Sequence, residues 1–136
     1  MNIYHKSKKD SSVCRLIAKF LPGCMNENVV ISFGDFLYAD HRPSLNLILE
    51  HEVIHMSRQK NSKFWAIFWW IKYIRNKKFR YAEELMAYRN QFKRIKERVK
   101  DRNERARILY ALARDLSGDI YGNLKPFSEV VEEIGR

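Results

Sequence analysis

The chain has 136 residues, 46% apolar and 13% aromatic, which excludes wholesale disorder and allows a modest core without disulfide or metal staples. Its 26 Lys and Arg against 16 Asp and Glu leave a formal charge of +10, which favours an anionic partner: nucleic acid, an anionic membrane surface or an acidic protein. Cys14 and Cys24 match neither a metal knuckle nor a redox pair, so they read as reduced, partly buried thiols of a cytoplasmic chain. Met1 to Lys6 carries charge but no apolar stretch, which argues against a signal peptide, and no run reaches the roughly 18 to 20 apolar residues that span a bilayer.

In chain order, residues 1–12 are polar and lysine-rich and read as a mobile basic arm, ahead of a single domain over 13–136. Val13, Leu16, Ile17, Phe20 and Leu21 have helical spacing that ends at Pro22-Gly23. Two apolar stretches, 29–33 and 36–39, flank Gly34-Asp35, a pair suited to a two-residue type II′ hairpin turn. A helix over about 44–60 follows, with Ser44 as its N-cap and apolar residues around most of its circumference. The run Phe64 to Ile71 predicts a helix buried on most sides; its three tryptophans and flanking Lys60, Lys63, Lys72, Arg75, Lys77, Lys78 and Arg80 make membrane-surface docking the alternative. Residues 80–100 predict an amphipathic helix with Tyr81, Leu85, Tyr88, Phe92, Ile95 and Val99 inward. A second, over 103–117, turns Ile108, Leu109, Leu112, Ala113 and Leu116 inward and ends at Gly118. Residues 121–124 read as a turn, and Ser128 as the cap of a short last helix. The fold class expected is α+β and mainly helical, with a hairpin or small sheet before the central helix.

That central helix contains His51-Glu52-Val53-Ile54-His55, an H-E-x-x-H pattern. Positions i and i+4 share a helix face, so both imidazoles can reach one metal ion, and Glu52 can act as general base on a metal-bound water. Burying three ionisable groups without partners would cost several kcal/mol, roughly, and a divalent cation removes that conflict. The alternative is a pair of core histidines satisfied by hydrogen bonds. On the 80–100 helix, Glu84 projects roughly 60° from the centre of the apolar stripe at about 100° per residue, whereas Glu83 points away from it. Glu84 is therefore the expected third ligand.

His51 to His55 followed by Glu84-Leu85-Met86-Ala87-Tyr88 resembles the gluzincin arrangement, in which a glutamate on a second helix completes the H-E-x-x-H site. More narrowly, the chain resembles small single-domain zincin-like metallopeptidases of phages and prophages. The carrying segments are Glu50 to Gln59 and Glu84 to Gln91, within a resemblance spanning roughly residues 28–125. Met86 stands where that pattern has a second acidic residue, and Tyr88 where larger gluzincins often have an Asp.

The resemblance implies a compact zincin-like fold and one Zn²⁺ held by His51, His55 and Glu84, with a peptide or protein as substrate. Glu52 would take a proton from the attacking water and pass it to the leaving amine. Candidates for the oxyanion donor are Tyr88, Tyr81, Tyr121 and His41, and Gln59 lies one turn beyond His55 as a candidate support for a ligand. Strand 36–39 is expected to line the cleft and pair with an extended substrate. A phage- or prophage-encoded protein of this kind acts in the host cytoplasm, with peripheral membrane association as a variation. The reading from another class is a non-proteolytic zincin-like protein that binds nucleic acid or a membrane surface through its basic and Trp-rich segments.

Overall fold

A computed structural model describes residues 4–136, which form two compact units dividing at Asn76. Each unit has its own secondary-structure framework.

The first unit is built on a three-stranded sheet of order β1-β3-β2: β1 (Tyr4–Lys6), β2 (Ile31–Phe33) and β3 (Phe36–Tyr38). β2 and β3 are the predicted hairpin, antiparallel with Phe33 opposite Phe36. Gly34 at φ +66° supplies the left-handed residue that the turn needs; Asp35 does not share it, as a type II′ turn requires. A side chain at Gly34 would also place Cβ 2.7 Å from the backbone nitrogen of Lys63, so glycine is needed twice over.

β1 corrects the expectation of a mobile arm. Residues 4–6 pair in parallel with β3, Tyr4 opposite Phe36 with their rings stacked 5.1 Å apart. Residues 1–3 lie outside the described residues. Lys8 is fully buried, its Nζ donating to the carbonyls of Cys24 (3.0 Å), Asn26 (2.6 Å) and Val29 (2.8 Å), with Asp40 Oδ2 at 3.7 Å. A lysine-rich composition suggests solvent, but three carbonyls and a carboxylate satisfy an ammonium without it. The pairing of β1 also makes β3 the central strand. Its backbone is taken on both sides, so the predicted docking of a substrate strand on 36–39 is not available to it.

α1 (Ser12–Phe20) is capped by Ser11, whose Oγ accepts from the Cys14 amide, and Pro22–Met25 then form a 3₁₀ turn. Cys14 and Cys24 are buried and not joined in a disulfide, and burial pushes the Cys14 thiol pKa up. The predicted 44–60 helix occurs as three joined pieces: α2 (Leu45–Leu47), a π-helical turn (Ile48–Glu52) and α3 (Val53–Arg58), with Ser44 as N-cap. Lys60 and Asn61, both at positive φ, reverse the chain into α4 (Lys63–Arg75).

α4 is a helix where expected but is buried on one side only. Ala66, Trp69, Trp70 and Tyr73 face inward, while Phe64, Trp65, Ile67, Phe68 and Ile71 are exposed.

The second unit packs α5 (Lys77–Arg98), α6 (Arg102–Leu116) and α7 (Phe127–Gly135) against one another. Its core is the predicted stripe Tyr81, Tyr88, Phe92 and Ile95 against Leu112, Ala113 and Leu116, joined by Val130 and Ile134; Leu85, Val99, Ile108 and Leu109 pack at its margin. Asp101 caps α6 by accepting from the Glu104 amide. The 121–124 turn follows a 3₁₀ turn (Asp119–Tyr121) with Gly122 and Asn123 left-handed. α7 starts one residue ahead of Ser128, with Pro126 in the N-cap position and no side-chain cap.

Candidate metal centre

The helix carrying the H-E-x-x-H pattern inverts the usual distribution of residues. Leu45 and Leu49 are 68% and 55% exposed, while His51 and Glu52 are 5% exposed and His55 4%. Glu50 is buried with them. Water attracts ionisable groups and repels leucines, so this arrangement costs stability and points to function rather than packing. The expectation of an apolar helix at the centre of a core is thus corrected at Leu45 and Leu49.

The π turn is the local device. The Val53 amide donates to the Ile48 carbonyl, five residues back, and inserts one residue into the helical repeat just where Glu50, His51 and Glu52 stand in a row. Such π insertions occur mostly as single turns, frequently at functional sites. Nothing in the local sequence announces it.

His51 within the turn and His55 in α3 converge. Their Nε2 atoms lie 3.2 Å apart and the rings meet edge-on at 4.9 Å. Two nitrogens at zinc-ligand distance in a tetrahedral site are separated by about 3.3 to 3.4 Å, so the pair already has the required bite. The same separation also admits one hydrogen bond between neutral imidazoles. Trp69 of α4 lies against the His55 ring at 5.4 Å between centroids and supplies an apolar wall. The sequence shows the aromatic run but not which of its members meets the histidine.

Glu84, on α5 of the second unit, is also 5% exposed, and His51, His55 and Glu84 are a group that could hold a metal ion. Two imidazole nitrogens and a carboxylate oxygen are a lone-pair-rich donor set that a divalent cation fits in number and type. Glu83, however, does not point to solvent as its helical angle predicts: it is 2% exposed. The first turns of α5 bury a second face, Arg80, Glu83 and Ala87, beside the apolar stripe. The helix-face argument that sets Glu84 apart from Glu83 therefore fails as an argument from burial.

The remaining candidates separate clearly. Tyr81 donates its hydroxyl to Glu133 at 2.6 Å, and burial, reinforced by that bond, raises its pKa well above the usual phenol range. It is occupied in the second unit's own packing. Tyr88, one turn after Glu84 on the same face of α5, has its hydroxyl 3.3 Å from that of Tyr121. His41 is exposed, 4.0 Å from the equally exposed Glu27. Gln59 is fully buried but serves the hairpin: its Oε1 accepts from the Gly34 amide at 2.6 Å and its Nε2 donates to the Ser32 carbonyl at 3.2 Å. Trp70 Nε1 donates to that same carbonyl at 2.9 Å. The predicted support for a ligand is thus a support for the sheet.

No protein-family model, curated protein or solved structure matches this chain. The class that the residues define is therefore an α+β chain of mainly helical character bearing a His-His-Glu donor set.

Proposed function

We propose that this protein is a zinc-dependent metallopeptidase of zincin-like, gluzincin type, with His51, His55 and Glu84 as ligands and Glu52 as general base. The observation that carries the reading is the pairing of the inverted helix with the 3.2 Å convergence of the histidine Nε2 atoms. That separation matches the bite of two zinc-bound nitrogens, and Glu52 is buried on the same helical segment.

Zinc, when bound, supplies a Lewis acid that polarises a carbonyl and lowers the pKa of water. The chain's own residues do the rest. His51 and His55 present neutral imidazoles, and Glu84 contributes the charge that balances the cation in a buried place. Glu52, buried on the same helical segment, takes the proton of the attacking water and returns it to the departing amine. Trp69 limits access of bulk water on the His55 side and so strengthens the electrostatics there. Tyr88, its hydroxyl 3.3 Å from that of Tyr121, is the phenol this reading assigns to the developing oxyanion; Tyr81 is held by Glu133 and His41 stands in solvent.

The test is cleavage of a quenched-fluorescent peptide library by zinc-loaded protein and by Glu52→Gln. The proposal expects turnover to fall at least about a hundredfold, in line with loss of a general base, while bound zinc is unchanged. Cleavage that survives Glu52→Gln at the original rate overturns it.

A further inference from the structure

The outward face of α4 is unusual for a water-facing helix. Phe64, Trp65, Ile67, Phe68 and Ile71 are 44–60% exposed, and at about 100° per residue they fall in one sector of roughly 160°. The opposite sector holds the buried Ala66, Trp69, Trp70 and Tyr73, so the helix is apolar on both sides. A contiguous exposed patch of this kind marks a surface that another phase or partner covers.

Charge says which. From Val53 to Ala82 the sequence has eight Lys or Arg and no Asp or Glu. Lys60 and Lys63 lie at the helix start and Lys72 and Arg75 at its end, all exposed. Lys60 Nζ sits 4.0 Å over the Trp65 ring and Lys63 Nζ 4.0 Å over the Phe36 ring. Cations over aromatic faces bordering aliphatic side chains are the ordering of a lipid interface: charge at the headgroups, indole at the boundary, aliphatic groups in the acyl region. No helix among the described residues is long and apolar enough to cross a membrane.

We infer that the exposed face of α4 docks on an anionic lipid surface, α4 lying in the interfacial plane with Ile67, Phe68 and Ile71 inserted and Lys60, Lys63, Lys72 and Arg75 at the headgroups. Nucleic acid explains the cations and the rings but not the two isoleucines between them. A second copy of the face would bring two cationic rims together.

Flotation of the 136-residue chain with vesicles tests this. Partition into vesicles containing about one-third phosphatidylglycerol exceeds that into pure phosphatidylcholine about tenfold or more, and weakens as salt is raised from about 0.1 to about 0.5 M. The double variant Phe68→Glu/Ile71→Glu loses that binding about tenfold or more, with unchanged far-ultraviolet circular dichroism because both side chains are exposed. Lys60→Gln and Lys63→Gln each weaken it about fivefold. Equal partition into neutral and anionic vesicles, binding that survives the glutamate pair, or affinity for duplex DNA without affinity for vesicles overturns the inference. So does a dimer that the glutamate pair dissociates in a chain that ignores vesicles.

Discussion

The side-chain oxygen of Gln59 accepts the backbone N–H of Gly34 at 2.6 Å. This contact joins the end of the helix that carries His51 and His55 to the hairpin turn, and the same amide reaches the Ser32 carbonyl on the adjoining strand. Gln59 therefore acts on the site from a distance, by holding the sheet against the end of α3.

Gln59→Ala leaves the buried Gly34 amide without its side-chain acceptor and opens a cavity. We expect a loss of about 2 to 4 kcal/mol in denaturant-induced unfolding, from one abandoned buried donor and the lost packing. A change under about 0.5 kcal/mol would assign Gln59 to the surface behaviour of an ordinary helix terminus.

Lys8 holds three carbonyls that belong to the 3₁₀ turn and the loop before β2. Lys8→Met keeps the length and removes the donors, and we expect about 3 kcal/mol of destabilisation by the same measurement. Lys9→Met, one residue along and exposed, serves as control and stays within about 0.5 kcal/mol of the parent.

Tyr81 and Glu133 link α5 to α7 and give the second unit a defined pH response. Burial raises the Glu133 pKa more than any other single influence, but hydrogen bonds from Lys125 and Tyr81, with the charges of Lys125 and Arg136, outweigh it and hold the carboxyl below its ordinary range. Stability from this carboxylate is present above its unfolded value of about 4.3 and is lost as pH falls through the folded value. Tyr81 is shifted upward, so its contribution is present below about pH 10 and is lost as pH rises through the folded value. Tyr81→Phe costs about 1.5 kcal/mol at neutral pH and makes both limbs of the stability profile shallower. An unchanged acid limb in Tyr81→Phe would show that Lys125 alone sets the Glu133 shift.

Much of this architecture is legible in the residues. Gly34-Asp35 between two β-branched and aromatic stretches marks the hairpin, and the stripe from Tyr81 to Ile95 marks the core face of α5, because both depend on short-range periodicity. What is not legible depends on contacts distant in sequence. β1 finds β3 more than thirty positions away, and Lys8 is satisfied by carbonyls 16 to 21 residues on. The outward leucines of α2 and the π turn arise from how the helix is accommodated, which its own periodicity does not encode. At the candidate site, the i,i+4 spacing of His51 and His55 is legible in the sequence, and Glu84 as third ligand is what the resemblance implies. Glu83 shows the limit: helical angle predicts direction from the axis, but burial also depends on what lies in that direction.

The central claim is that His51, His55 and Glu84 together hold one divalent ion, and zinc content measured on the purified full-length chain by inductively coupled plasma mass spectrometry tests it most directly. The account predicts about one zinc per chain after dialysis against metal-free buffer, falling to below about one-tenth in His55→Ala and weakened about a hundredfold in affinity in Glu84→Gln, which preserves shape while removing charge. A parent protein that retains no zinc, or a Glu84→Gln protein that retains it with the parent's affinity, would contradict it.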